Sequence, residues 1–313
     1  MTAQGAEPAI SARGLTKRFG QSAAVAGLSL EVAPGAAFAL VGPDGAGKTT
    51  TIRMLAGIMD PDGGSASVLG FDTARQSEAL KERIGYMPQR FGLYGDLTVA
   101  ENVAFYADLY RVPRAERDRR IPELLNFSGL GPFQDRLAAN LSGGMKQKLG
   151  LTCALIHTPS LIFLDEPTSG VDPVSRREFW QILYRLLTQG ITIFLATTYL
   201  DEAERAHRVG LMHQGRLLVA DSPRAVKASF QGELLEVRAA DLRAARRVLS
   251  GAPQAAQVLA MGDRLMVTVE SAEAAQGPLN EALTGAGVGE VRIRRAQPAL
   301  EDVFVQIVRR EAA

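Results

Sequence analysis

The residues with the clearest chemical potential form a glycine-rich segment early in the chain. Residues 42–49, here called the phosphate loop, read Gly-Pro-Asp-Gly-Ala-Gly-Lys-Thr and match the spacing G-x-x-x-x-G-K-[ST]. Glycines at these positions let successive backbone N–H groups turn inward and surround a phosphate chain. Lys48 can reach the outer phosphates, the Thr49 hydroxyl can ligate Mg²⁺, and a helix beginning there adds its positive dipole end. The segment therefore predicts a site for a nucleoside triphosphate and Mg²⁺. The residues predicted to bind nucleotide are Gly42, Pro43, Asp44, Gly45, Ala46, Gly47, Lys48, Thr49 and Thr50.

Two carboxylates follow a short apolar run further along the chain. The run Leu161–Leu164 is typical of a parallel strand buried on both faces, and ligand sites of α/β folds lie at the carboxyl ends of such strands. Asp165 is placed to hold Mg²⁺ through water, and Glu166 to orient or deprotonate an attacking water. Taken alone, two acidic residues after a strand are more typical of a solvated loop than of a catalytic site. Together with the phosphate loop they predict hydrolysis of the nucleotide.

A second glycine-rich turn, residues 141–147, reads Leu-Ser-Gly-Gly-Met-Lys-Gln and is here called the signature segment. In the simplest interpretation Ser142 caps a helix and the two glycines only form a turn. The same features also suit an anion, because a hydroxyl and free helix N–H groups face one point.

The elements that position these residues alternate between strands and helices. This order predicts an α/β sheet with a helical subdomain over about residues 90–155. The predicted strands lie within residues 10–32 (strands joined by a turn at 19–21) and at 36–41, 84–87, 161–164 and 191–196. The predicted helices span 49–59, the residues after 144 to about 156, and 173–189.

A polar stretch, Ser222–Glu233, marks the predicted boundary between two domains, at 10–222 and 233–313. Beyond it the sequence predicts strand (234–238), helix (241–250), two strands (257–261 and 264–269), helix (272–284), strand (290–294) and a last helix (299–310). The β-α-β-β-α-β order predicts a small α+β domain of the ferredoxin-like type.

Taken in order, these segments resemble the ATP-binding subunit of an ABC transporter, a P-loop NTPase. The phosphate loop resembles Walker A, residues 84–89 (Ile-Gly-Tyr-Met-Pro-Gln) the Q-loop, and residues 141–147 the family signature. Residues 161–166 resemble Walker B and residues 169–172 (Ser-Gly-Val-Asp) the D-loop. Residues 91–94, 97–102 and 299–304 further resemble bacterial ABC-2-type exporters, notably daunorubicin-resistance-like ATPases and tandem-ATPase multidrug efflux subunits.

The resemblance implies a head-to-tail dimer with a second ATPase domain that closes over two ATP molecules. One chain would supply Lys48, Thr49, Gln89, Asp165 and Glu166, with Thr49, Gln89 and Asp165 at the metal. The other chain would offer Ser142 and Gly144 to the γ-phosphate, and Gly143 between them is also counted among the nucleotide-binding residues.

Two further assignments follow from the same resemblance. Phe19 matches the aromatic residue that stacks on adenine, with an ordinary core aromatic as the alternative. The segment 91–110 would meet ABC-2-type transmembrane permease subunits, which export a drug, a lipid or an ion. The chain would then lie peripherally on the cytoplasmic face of the cell membrane.

One position departs from the family pattern. The family places a histidine that contacts the γ-phosphate before Tyr-Leu-Asp-Glu-Ala-Glu, and this chain has Thr198 there. Threonine is too short and too weak a base to replace imidazole, although its hydroxyl can bond through water. We therefore expect slow hydrolysis at this chain's own site. One hypothesis is a heterodimer with a histidine-bearing ATPase, and a homodimer is the simpler alternative.

Composition argues against other classes of protein function. Lys and Arg number 35 against 34 for Asp and Glu, so bulk charge gives no argument for nucleic-acid binding. A soluble ABC protein of DNA repair or translation is disfavoured, since zinc cysteines and a long coiled coil are lacking. The apolar stretches are too short to span a bilayer, so we expect a separate membrane subunit.

Several other residues are expected to be structural. Cys153 lies in an apolar run that predicts a buried thiol, and Phe179 and Trp180 are expected in the core. The dispersed histidines (His157, His207 and His213) are expected to be structural or surface residues, and Arg111–Arg120 a solvated helical face.

Overall fold

The computed structural model describes residues 7–90 and 92–312, with side chains to residue 310. The chain divides between Pro223 and Arg224 into two compact units. The strands of the first unit are β1 (Ile10–Phe19), β2 (Ser22–Val32), β3 (Ala37–Val41), β4 (Gly63–Val68), β5 (Phe71–Asp72), β6 (Ile84–Met87), β7 (Leu161–Asp165), β8 (Thr192–Thr197), β9 (Arg208–His213) and β10 (Arg216–Asp221). Its helices are α1 (Lys48–Leu55), α2 (Ser77–Lys81), α3 (Val99–Leu109), α4 (Arg114–Phe127), α5 (Gly143–Leu155), α6 (Pro173–Thr188) and α7 (Leu200–Ala203).

The main sheet of the first unit has the strand order β10-β9-β3-β8-β7-β6. The pairs from β9 to β6 are parallel, and β10 pairs antiparallel with β9. Every residue of β3, β7 and β8 is buried, as expected for central parallel strands covered on both faces. This arrangement brings the carboxyl ends of β3, β7 and β8 to one edge, where the predicted phosphate and metal residues follow. The predicted α/β class is confirmed.

A second, antiparallel sheet of order β2-β1-β4-β5 completes the core of this unit. The sequence missed β4, because residues 63–68 (Gly-Gly-Ser-Ala-Ser-Val) carry almost no apolar signal. It also missed β9 and β10, whose apolar runs are short: Gly210 interrupts the run of β9, and charged residues bound the four-residue run of β10.

The helix predicted to reach residue 59 ends at Leu55. Gly57 takes a φ of +66°, which stops the helix, and a Cβ there would lie 3.0 Å from the Thr73 carbonyl oxygen.

The helical subdomain packs around its own apolar cluster, which includes Val99 and Val103 of α3 and Leu149 and Cys153 of α5. Burial raises the pKa of the Cys153 thiol, so this residue is a structural thiol as predicted. Phe179 and Trp180 of α6 are buried, as predicted.

The prediction of a solvated arginine face is wrong for Arg120. Its side chain turns inward, and Nη2 donates to the Leu155 carbonyl oxygen at 3.1 Å. Arg111, Arg114 and Arg119 are exposed, as predicted.

His157 fills a structural role, as predicted. Its ring stacks on Tyr110 with centroids 3.9 Å apart, and Nε2 lies 2.9 Å from the Ile84 carbonyl oxygen. Burial lowers the pKa of His157 and favours the neutral ring.

The second unit has the strand order β12-β13-β11-β14, with every pair antiparallel. Its elements are α8 (Pro223–Ala228), which begins at the division, β11 (Glu233–Arg238), α9 (Leu242–Ser250), β12 (Ala255–Met261), β13 (Arg264–Val269), α10 (Ala272–Gly285), β14 (Arg292–Ala296) and α11 (Leu300–Ala312). Alternate residues of β11 and β13 pack with α9 and α10 into one apolar cluster. The element order and the sheet order are those of a ferredoxin-like domain.

One buried carboxylate in this unit is fully paired. Glu236 accepts bonds of 3.0 Å from Arg238, Arg264 and Arg294, which together lower its pKa to about 2. No helix within residues 7–90 and 92–312 is long and apolar enough to cross a membrane.

Candidate functional site

The phosphate loop joins the end of β3 to the start of α1 and approaches other backbone closely. A Cβ at Gly42 would lie 2.1 Å from the Met212 carbonyl oxygen. Gly47 has a φ of +103°, and a Cβ there would lie 2.1 Å from the Ala24 carbonyl oxygen. Only glycine therefore fits these two positions, and the result is a cradle of backbone N–H groups at the N-terminus of α1.

Lys48 is held at the centre of this cradle. Its residue is only 4% exposed, and Nζ donates to the carbonyl oxygens of Gly42 and Pro43 at 2.8 and 3.0 Å. The same ammonium lies 3.4 Å from Oε1 of Glu166. The positive charge is thus preorganised beside the acidic end of β7.

Thr49 and Asp165 provide a pair of oxygens suited to a hard cation. The Thr49 hydroxyl donates to Oδ1 of Asp165 at 3.0 Å. Asp165 is buried, and this desolvation raises its pKa, with the nearby charge of Glu166 acting in the same direction. A hydroxyl next to a buried carboxylate is a donor set that Mg²⁺ accepts, and a cation there would stabilise the ionised form of Asp165.

Glu166 stands at a sharp turn where β7 ends. Its φ of +49° is in the left-handed region, and its N–H donates to the Ala196 carbonyl oxygen at 2.8 Å. The Gln89 amide donates to Oε2 of Glu166 at 3.2 Å. The structure therefore brings Gln89 and Glu166 together, although 77 positions separate them in the sequence.

Lys48, Thr49, Gln89 and Glu166 line one cavity of about 500 Å³, whereas the predicted site residues Gly42, Pro43 and Asp165 do not form part of its wall. Its walls are formed by Phe19, Ala24, Asp44, Gly45, Ala46, Gly47, Lys48, Thr49, Thr50, Gln89 and Glu166. Phe19 is 51% exposed at this cavity, so the alternative of a core aromatic is wrong. Ala24 is a wall residue that sequence reasoning missed, because a small apolar residue in a strand carries no signal.

The signature segment lies outside this cavity. Ser142 is the N-cap of α5 and accepts a hydrogen bond from the Met145 N–H at 3.3 Å. Ser142 and Gly143 are exposed, whereas Gly144 is buried, and a Cβ there would lie 2.4 Å from Cβ of Ser175. Residues 142–144 do not line the phosphate cavity of their own chain.

Thr198 follows β8, which lies between β3 and β7. The preceding carbonyl oxygens of Ala196 and Thr197 accept hydrogen bonds from the N–H groups of Glu166 and Gly42, at 2.8 and 3.4 Å. Thr198 is half-buried at this edge and does not line the cavity. Its catalytic assignment stays a prediction.

Sequence reasoning also missed a buried carboxylate near this edge. Glu202 of α7 is fully buried and accepts hydrogen bonds from the hydroxyls of Thr168 and Thr197. A four-residue helix is too short to show a periodic pattern, so the sequence gives no sign that this glutamate faces inward.

A glycine cradle between a strand and a helix, with a carboxylate-bearing strand end beside it, defines the P-loop class of nucleotide-binding α/β folds. A profile described as ABC transporter matches residues 25–169. The chain belongs to the ATP-binding proteins of ABC transporters, a family of ATPases, as the resemblance predicted.

Three relatives support this membership. The chain is 43% identical over 304 residues to the probable multidrug ABC transporter ATP-binding protein YbhF of Escherichia coli, covering 96% of this chain and 52% of that protein. The chain thus spans about half the length of that relative. It is 36% identical to the Nod factor export ATP-binding protein I of Paraburkholderia xenovorans, over 97% of this chain and 98% of the relative. It is 39% identical to the daunorubicin/doxorubicin resistance ATP-binding protein DrrA of Streptomyces peucetius, over 77% and 74% of the two chains.

Solved structures agree with the fold. One is an ATP-binding subunit of an ABC transporter, with a TM-score of 0.64, 30% identity, and coverage of 71% of this chain and 92% of that one. Another is a dimeric ATP-binding cassette in a post-hydrolysis state bound to ADP and Pi, with a TM-score of 0.62, 25% identity and coverage of 68% and 98%.

Proposed function

We propose that this chain hydrolyses Mg·ATP in the phosphate cavity and thereby powers export through separate ABC-2-type membrane subunits. The observation that carries the proposal is the 3.4 Å approach of the Lys48 ammonium to Glu166 across the cavity wall. In this proposal the Lys48 ammonium binds phosphate and the adjacent Glu166 carboxylate activates water.

The residues of the cavity have complementary roles in this reaction. Lys48 and the N–H groups of the phosphate loop would bind the outer phosphates, and the exposed ring of Phe19 would stack on the base. Glu166 would accept a proton from the attacking water, while the Gln89 amide holds one of its carboxylate oxygens in place. Thr49 and Asp165 would hold Mg²⁺, which when bound neutralises charge on the phosphates.

We further propose that a second ATPase domain completes the site. Ser142 and Gly143 are exposed and lie outside their own chain's cavity, so their hydroxyl and N–H groups are free to face the γ-phosphate held by another chain. The dimeric cassette among the solved relatives supports the pairing of two ATPase domains.

Export is the third part of the proposal. Relatives are named for multidrug transport, Nod factor export and daunorubicin resistance. Three large apolar side chains of the helical subdomain, Tyr94, Phe105 and Leu109, are 37–61% exposed and supply a surface for a membrane subunit. Phe91, which the same prediction includes, lies outside the described residues. This surface would place the chain on the cytoplasmic face of the membrane, and the exported drug, lipid or ion would pass through the membrane subunits.

One observation favours a second candidate function. Thr198, at the position where the family has histidine, does not line the cavity and has no imidazole to offer the γ-phosphate. In this version the chain binds ATP, hydrolyses it slowly, and completes the site of a different, histidine-bearing ATPase.

The test is Mg²⁺-dependent ATP hydrolysis by the purified full chain at concentrations that allow dimers, with Glu166→Gln as the blank and Thr198→His as the comparison. Turnover well above the blank supports a catalytic homodimer. Binding without turnover that histidine at 198 restores supports the degenerate site. Failure of the chain to bind Mg·ATP would contradict both versions.

A further inference from the structure

Glu202 occupies an unusual position for an acidic residue. It is fully buried on the short helix α7, and no part of its side chain reaches the phosphate cavity. A buried carboxylate is costly unless its oxygens are satisfied, so its partners show what it holds together.

One carboxylate oxygen is tied to the loop that follows β8. The Thr197 hydroxyl donates to Oε2 of Glu202 at 3.0 Å, and the same hydroxyl accepts from the Tyr199 N–H at 3.0 Å. Thr198 lies between these two residues. The chain of bonds therefore fixes the backbone on both sides of Thr198.

The other oxygen is tied to the loop that follows β7. The Thr168 hydroxyl donates to Oε1 of Glu202, and Thr168 stands two residues after Glu166. Arg176, near the start of α6, places Nε 3.5 Å from the same oxygen and its guanidinium carbon 4.1 Å from the centre of the Tyr199 ring. One carboxylate thus contacts three segments: the loop after β7 at Thr168, the end of β8 at Thr197 and the start of α6 at Arg176.

We propose that Glu202 is a positioning residue, which holds the loop of Glu166 and the loop of Thr198 in fixed relation at the sheet edge beside the phosphate loop. As far as hydrolysis is concerned, the inference rests on the proposed function. Burial raises the pKa of Glu202, while the two threonine hydroxyls and the charge of Arg176 oppose this rise and favour the ionised form that both hydroxyls need.

The principal experiment is hydrogen exchange of the full chain, read by segment. Glu202→Gln presents an NH₂ group to one of two hydroxyls that now donate, so that hydroxyl must accept instead, and the charge that strengthens both bonds and pairs with Arg176 is removed. We expect exchange about ten-fold faster in both 167–172 and 197–200, with segment 42–50 unchanged. The matched control is Asp201→Asn, because Asp201 also pairs with Arg176 at 3.5 Å but is exposed. Asp201→Asn should leave the exchange rates of both loops unchanged.

Variants of the threonines separate the hydroxyl from packing. Thr197→Val and Thr168→Val keep the shape and lose the donor, and each should loosen both loops, whereas Thr197→Ser and Thr168→Ser keep the donor and should restore protection. Faster exchange confined to residues 200–204, or equal loosening of segment 42–50, would overturn the proposal. Equal exchange rates in the serine and valine variants would also overturn the proposal.

Kinetics supply the second readout. If the wild-type chain turns over, Glu202→Gln should lower kcat about ten-fold while the Kd for ATP stays within about two-fold, because the phosphate loop is untouched. A change in Kd alone would overturn the positioning role. If the wild type does not exceed Glu166→Gln, the hydrolysis proposal fails, and the exchange pattern still decides whether Glu202 holds the two loops.

Discussion

The phosphate loop and the signature segment are both glycine-containing turns that lead into a helix, yet they face different surroundings. In the phosphate loop, Lys48 is buried, bonded to two carbonyl oxygens and 3.4 Å from Glu166. In the signature segment, Ser142 and Gly143 are exposed, and the Ser142 hydroxyl caps only its own helix. The charged side chain of the first meets its partners within its own chain, whereas the second exposes a hydroxyl and a helix N-terminus to solvent. The site that we propose two chains share requires this difference.

The glycines of the two segments sharpen the contrast. At Gly42 and Gly47 a Cβ would lie 2.1 Å from carbonyl oxygens of the same chain, so the fold itself requires glycine there. At Gly143 an added Cβ would meet no atom within 4 Å. Contacts within the chain therefore do not explain glycine at 143, whereas the nucleotide of a second chain, as proposed above, would explain it by its close approach.

The largest expected effect comes from Lys48→Met. The substitution removes a preorganised charge from the cavity, and we expect the Kd for Mg·ATP of the dilute chain to rise about 100-fold, since charge-assisted hydrogen bonds are the strong ones. Equilibrium titration with a fluorescent ATP analogue measures it. Lys81→Met is the matched control, because Lys81 pairs with Glu78 at the surface. A Kd that Lys48→Met leaves unchanged would show that the cavity is not the phosphate site.

The next effect should separate the two segments. Ser142→Ala should leave ATP binding by the dilute chain unchanged and lower hydrolysis at dimer-forming concentrations about ten-fold, because the lost hydroxyl would serve only the partner's nucleotide. Loss of the N-cap also costs about 1 kcal/mol of stability. Thr98→Ala, which removes the N-cap of α3, is the control for that cost. If both variants lose hydrolysis equally, the role of Ser142 is only structural.

Gly143→Ala tests the same division with less disturbance. Because its Cβ would enter open space, we expect an unchanged melting temperature, unchanged ATP binding by the dilute chain, and hydrolysis reduced about three-fold by crowding of the γ-phosphate. Titration of activity against protein concentration would locate the defect in dimerisation or in turnover. A lower melting temperature of the Gly143→Ala variant would show that the fold requires glycine at 143 as well. The two segments would then not differ in this respect.

The phosphate loop and β7 were predictable from the sequence because each is encoded by neighbouring residues: a glycine spacing, or an apolar run followed by acids. The contact of Gln89 with Glu166 could be expected only from family resemblance, since it depends on β6 pairing with β7. The inward direction of Glu202 and of Arg120 could not be predicted, because it depends on which hydroxyls and carbonyl oxygens the tertiary fold brings near. Patterns among neighbouring residues indicate helices and strands. The partners of buried polar side chains, in contrast, are set by contacts between residues that are distant in the sequence.

The smallest effect concerns stability and distinguishes two buried carboxylates. Glu236 is surrounded by three arginines that lower its pKa to about 2, so its contribution to stability is present above pH 4.5 and lost only as the pH falls through about 2. Asp165 has the opposite shift: burial raises its pKa above 3.8, so its contribution falls as the pH rises through the folded-state pKa. The apo chain therefore bears a cost at neutral pH that a bound cation would relieve.

Asp165→Asn should remove that cost while keeping an oxygen for the Thr49 hydroxyl. In a chelating buffer at pH 7 we expect the variant to melt about 2–4 °C above the wild type, equivalent to about 1 kcal/mol. The gap should shrink as the pH approaches 3.8, because wild-type Asp165 is then protonated as well. In saturating Mg·ATP the order should reverse, since only the wild type gains stability from the bound cation. If the variant were less stable than the wild type in the chelating buffer, ionised Asp165 would stabilise the folded chain as Glu236 does. The contrast between a carboxylate that stabilises the fold and one that is stabilised by a ligand would then not hold for these two residues.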